Sequence, residues 1–79
     1  MSQLETFETL LMEAFEIKRE EIRDDVTPDD LENWDSIVHM DLCAKFEESF
    51  NISLDVEDIT EMQTLGLMKE VLRRYGVDL

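Results

Sequence analysis

Leu4, Phe7, Leu10, Leu11, Ala14 and Phe15 recur at intervals of three and four, with Glu5, Glu8, Glu13 and Glu16 interleaved. That spacing places the apolar side chains on one face of a helix and the acids on the other. Ser2 followed by Glu5 has the form of a capping box, and Lys18 and Arg19 stand where cations would complement the negative pole at the helix end. A second stripe, His39, Leu42, Cys43, Phe46 and Phe50, predicts a helix from about Ser36 to Phe50. Ile37 and Met40 fall off that stripe and are expected as exposed apolar contacts, while Asp41, Lys45, Glu47 and Glu48 lie away from it. After a loop through Leu54 comes a short acidic helix near Val56 to Met62, with Ser53 or Asp55 as its cap. Leu65, Leu67, Met68, Val71 and Leu72 mark a last helix that opens after Thr64 and runs to Tyr75. Arg73 and Arg74 occupy its final turn, and Gly76 stands where a left-handed terminator belongs.

Between residues 20 and 34 the periodicity stops. Thr27-Pro28-Asp29-Asp30 suits one helical turn, with threonine as cap and proline at the first position, inside a polar loop that Ile22, Val26 and Leu31 pin to the core. No segment alternates as a strand would. The expected fold is all-α: a small four-helix bundle of three main helices and one short one.

Length and charge narrow the function. Seventy-nine residues make one domain, 1–79, too small for a deep enzyme cleft. Twenty-one acids against 7 bases give a formal net charge of -14. Such a surface repels nucleic acid and anionic membranes and steers the chain toward basic patches on other proteins. Cys43 is alone, so no internal disulfide forms, and it reads as a small packed hydrophobe. With no charged-then-apolar leader and no membrane-length apolar run, the expectation is a soluble, cytoplasmic monomer. No twelve-residue calcium loop with its glycine occurs, so no metal site is expected.

The candidate chemistry sits in Asn33-Trp34-Asp35-Ser36-Ile37, which opens the second helix. Ser36 has three readings. Asp35 or Ser36 can cap the helix, for about 1 kcal/mol. Asp35, Ser36 and His39 supply the side-chain types of a hydrolase triad, but a triad needs histidine between the other two, with an oxyanion hole and a pocket, which residues crowded on one helix start do not provide. Finally, Ser36 can carry a phosphate-linked group, because a helix amino terminus offers free amides and a positive dipole end.

Asp35-Ser36-Ile37 at the head of a helix in an acidic chain of this length resembles the Asp-Ser-Leu attachment motif of acyl carrier proteins. The likeness covers the whole chain: amphipathic first helix, long loop, serine-headed second helix, short third and closing fourth. Asp41, Glu47 and Glu48, Phe46 and Phe50, Asp58-Ile59 and Thr64-Leu65 add to it. The resemblance implies a non-catalytic carrier. A phosphopantetheinyl transferase would move 4'-phosphopantetheine from coenzyme A onto Ser36, beside Asp35, and acyl groups would ride the arm as thioesters. Partners would be acyl-transferring or synthase enzymes of a fatty-acid, polyketide or related pathway, docking basic patches on Ile37, Met40, Asp41, Glu47 and Glu48. His39, Phe46, Leu54, Ile59 and Met62 would form the acyl pocket. From Asp29 to Glu61 there are eleven acids and one base, Lys45, so the acidic skew surrounds the serine.

The chain departs from that pattern at Val38, where the family has an acid, and at Asn33 and Trp34, where it has small residues. Asn33 is expected to take the left-handed conformation, and Trp34 to staple onto the first turn of the helix. These departures suit a specialised stand-alone carrier. The alternative is an acidic helical protein-interaction module in which Ser36 is only a cap.

Overall fold

A computed structural model describes residues 2–79. Helix α1, Gln3–Phe15, begins where Ser2 accepts the Glu5 amide at 3.1 Å, as the capping sequence requires. It ends earlier than the positions of Lys18 and Arg19 imply: both lie beyond the last turn, and Arg19 instead opens a 3₁₀ turn, Arg19–Glu21, and pairs with Glu8 at 3.5 Å. Helices α2, Ser36–Phe50, α3, Val56–Glu61, and α4, Leu65–Arg74, follow in the expected order. The fold is thus an all-helical bundle with four α-helices among the described residues.

Three helices stop the same way. Glu16 and Asn51 (φ 55° each) and Gly76 (φ 91°) turn left-handed. The next amide then reaches back five residues: Ile17 to the Met12 carbonyl, Ile52 to Glu47 and Val77 to Leu72, at 3.1–3.3 Å. Gly76 meets the requirement without a Cβ penalty, as its place in the sequence implies.

The long loop is tied down rather than free. Val26 is buried, and Ile22 and Leu31 pack against the core. Thr27–Asp30 is a turn, not a helix: the Asp30 carboxylate takes the Thr27 amide (2.9 Å) and hydroxyl (3.2 Å), so threonine donates where a cap would accept. Two open amides at the start of α4 are satisfied from this loop, Leu65 by the Val26 carbonyl (3.1 Å) and Gly66 by that of Asp24 (3.0 Å). A Cβ on Gly66 would lie 3.0 Å from Asp24, which explains glycine there. Lys69 holds Asp24 at 2.8 Å, and that bond and charge draw the Asp24 carboxyl below its ordinary range. Asn33 is not left-handed. Its side chain instead donates to the Phe15 carbonyl (3.2 Å) and the Glu16 carboxylate (2.7 Å), fastening the segment before α2 to the end of α1.

Phe7, Leu11 and Phe15 of α1 meet Leu42, Cys43 and Phe46 of α2 and Leu65, Met68, Val71 and Leu72 of α4 in the core. Phe46 stacks between Phe7 (5.6 Å between centroids) and Phe50 (6.1 Å). Helix α3 buries no residue. Ile59 packs against the core in part, and polar ties add to it: the Tyr75 hydroxyl donates to Asp58 and accepts the Asp55 amide (3.2 Å), and Arg74 pairs with Glu61. Donation to Asp58 pushes the Tyr75 hydroxyl above its usual pKa.

Candidate functional site at the head of the second helix

Asp35 sets the opening of α2. Its carboxylate accepts the Val38 amide at 2.9 Å and its carbonyl the His39 amide at 2.9 Å. Ser36 is therefore the first helical residue, exposed, and not the side chain that caps the helix. The amides of Ser36 and Ile37 have no intrahelical partner and form the positive end of the helix beside the serine oxygen. Asp35→Ala should cost about 1 kcal/mol in urea unfolding. Ser36→Ala should change stability by less than about 0.5 kcal/mol, as an exposed substitution; equal costs would return the capping role to Ser36.

Ser36 borders a cavity of about 470 Å³ whose walls are Pro28, Trp34, Asp35, His39 and Met40 on one side and Ile59, Thr60, Met62 and Gln63 on the other. Of the five residues expected to form an acyl pocket, His39, Ile59 and Met62 line it. Phe46 and Leu54 do not. Phe46 lies ten residues beyond Ser36, roughly 15 Å along the helix axis, and is locked between two other phenyl rings. Leu54 sits in the loop before α3, its amide bound to the Glu47 carboxylate at 2.8 Å.

That bond also changes the reading of Glu47, which is half-buried and structural rather than a free surface acid. Asp41 and Glu48 are exposed, Asp41 within 3.4 Å of Lys45. Ile37 is 81% and Met40 55% exposed, as their positions off the stripe imply, and Val56 at the start of α3 adds a third open apolar side chain (78%).

Trp34 and His39 form a pair at the head of α2. Trp34 is buried against Phe15 (5.0 Å between centroids) and precedes the cap residue, so its contact with the fourth helical residue, His39, is the geometry of a staple. Its indole Nε1–H donates to His39 Nδ1 at 3.0 Å, with the ring planes within 14°. His39 Nε2 lies 2.8 Å from the Ile59 carbonyl. The five-residue step from Trp34 to His39 was the available signal; the link to Ile59 had none.

Cys43 is buried one turn beyond His39, its Sγ 3.8 Å from Met62 Sδ. Burial, with the Glu47 charge adding, pushes its thiol up to about 11. The raised value means the buried thiol favours folding fully below the ordinary thiol pKa of about 8.5, a contribution lost as pH rises through about 11. Alkylation of the native chain by iodoacetamide near neutral pH should be at least about a hundredfold slower than in urea, because thiolate is scarce and shielded. Comparable rates would show an open thiol.

The family model described as phosphopantetheine attachment site matches residues 5–72 of the chain. No curated protein matches it at a significant level.

Proposed function

The chain belongs to the phosphopantetheine-attachment family, non-catalytic carriers that hold 4'-phosphopantetheine covalently, and from that premise we propose that Ser36 is the attachment point. The observation that carries this reading is an exposed hydroxyl on the first residue of α2, relieved of capping by Asp35 and standing at the rim of a cavity. The surroundings fit a phosphodiester: the Ser36 and Ile37 amides would donate to its oxygens, and the Asp35 carboxylate is directed to the Val38 amide. When bound, the group supplies a terminal thiol on which acyl groups are carried as thioesters. In loading, Ser36 Oγ forms the new P–O bond as the pyrophosphate of coenzyme A breaks and its adenosine half leaves. The hydroxyl proton passes to a base on the transferase, since the nearest imidazole, His39, is bonded at both nitrogens.

Family membership implies a phosphopantetheinyl transferase and acyl-handling enzymes as partners. In our reading these dock through Ile37 and Met40, with Asp41 and Glu48 as a charged rim that raises encounter rate and is screened by salt. His39, Ile59 and Met62 shelter acyl intermediates of a fatty-acid, polyketide or related pathway, and residues 1–79 act as one carrier domain. Incubation of the full chain with a phosphopantetheinyl transferase and coenzyme A should add the mass of one phosphopantetheine. An unchanged mass with several competent transferases would favour the acidic interaction module.

A further inference from the structure

We infer that His39 is a positioning residue, a latch that holds Trp34 and α3 together across the cavity beside Ser36 and lets go of Trp34 when its imidazole gains a second proton. The indole Nε1–H can only donate and the Ile59 carbonyl can only accept. The ring therefore serves both, at 3.0 and 2.8 Å, in one form alone: neutral, with Nε2 protonated and Nδ1 bare. A proton on Nδ1 would set N–H against N–H at a 3.0 Å separation, so the ring must leave Trp34, while Nε2–H still donates to the Ile59 carbonyl.

Both partners belong to the cavity wall. Trp34 is part of the segment that leads into Ser36, and Ile59 is on α3, so His39 ties the two sides together. The carbonyl it takes lies in the last turn of α3, where the only backbone donor is the Met62 amide at a long 3.4 Å. No residue within α3 is fully buried, although Ile59 packs against the core and Met62 just after it is buried beside Cys43, so this bond adds a directional tie to α2; Tyr75 and Arg74 tie Asp58 and Glu61 to the end of α4. The charges that face the ring are few. Asp35 is the one carboxylate lining the cavity, Asp58 and Glu61 are engaged with α4, and Cys43, one turn along α2, is a thiol.

The gating of cargo rests on Ser36 as the attachment point, whereas the latch itself does not, and the test keeps them apart. Trp34 is the only tryptophan, so its emission reports the pair directly. In the unmodified full chain, lowering the pH from about 8 to about 5 should shift that emission as the indole N–H loses its acceptor. His39→Gln presents one acceptor and one donor without titrating and should hold the emission flat. A glutamine variant that responds as the wild type does, or a wild type that does not respond, overturns the latch. On the loaded chain, hydroxylamine should cleave an acyl thioester about fivefold faster in His39→Ala than in His39→Gln; equal rates overturn the gating. Failure to load at all would refute Ser36 as the attachment point and leave the emission result to judge the latch alone.

Discussion

Ser36→Ala is expected to abolish loading outright, with no arm added under conditions that convert the wild type fully. The loss is complete rather than partial because alanine removes the only hydroxyl at the head of α2, one that the helix does not use as a cap. Asp35 retains the cap, so circular dichroism and urea unfolding of the variant should overlay those of the wild type. That combination, full structure without modification, distinguishes a tether from a structural serine. A variant that still gains the arm would move the site elsewhere, and one that unfolds would make Ser36 part of the framework.

Phe46→Ala is expected to be the most damaging single change to the fold, at about 3–5 kcal/mol. Its side chain is fully buried, stacked on Phe7 and Phe50, and joins α1 to α2 at the centre of the core. A domain of this size has a total stability of about 5–15 kcal/mol at most, with the small end more usual, so the variant should melt some 15–30 °C lower or fail to fold at all. Thermal unfolding followed by circular dichroism measures this directly. A cost under about 1 kcal/mol would mean that the phenyl ring is not enclosed, and would restore Phe46 as a candidate for an opening acyl pocket.

The contrast between these two residues shows how much the sequence discloses. Ser36 was legible because helix starts have local signals: an acid that caps, a polar break before it and a three-four stripe after it. Gly76 and Thr64 were legible for the same reason, and Thr64 does accept the Leu67 amide at 3.0 Å. Phe46 reads correctly as a stripe residue, but periodicity gives a direction around the axis and not a distance along it, so its separation from the cavity was invisible. Asn33 departs from its expected left-handed backbone because its task is long-range, eighteen residues back at the end of α1. Glu47 has the helical position of a surface acid, but the loop before α3 presents the Leu54 amide to it, a contact with no local signal. The same limit hid the His39 bond to Ile59, twenty residues away on a different helix. The Arg19–Glu21 turn is entirely charged and carries no apolar period to announce it.

The acidic surface has a matching consequence. Only seven bases are present, and the ion pairs they form are at the surface, where each contributes little. Most carboxylates therefore remain available to an approaching cationic partner, and the exposed Ile37 and Met40 give such a partner something apolar to hold.

Peptide-level tandem mass spectrometry of the transferase-treated wild-type chain tests the central claim most directly, since the chain has serines at 2, 36, 49 and 53. The phosphopantetheine mass should fall wholly on the fragment that contains Ser36. Finding it on Ser2, Ser49 or Ser53, or on no serine, would contradict the account.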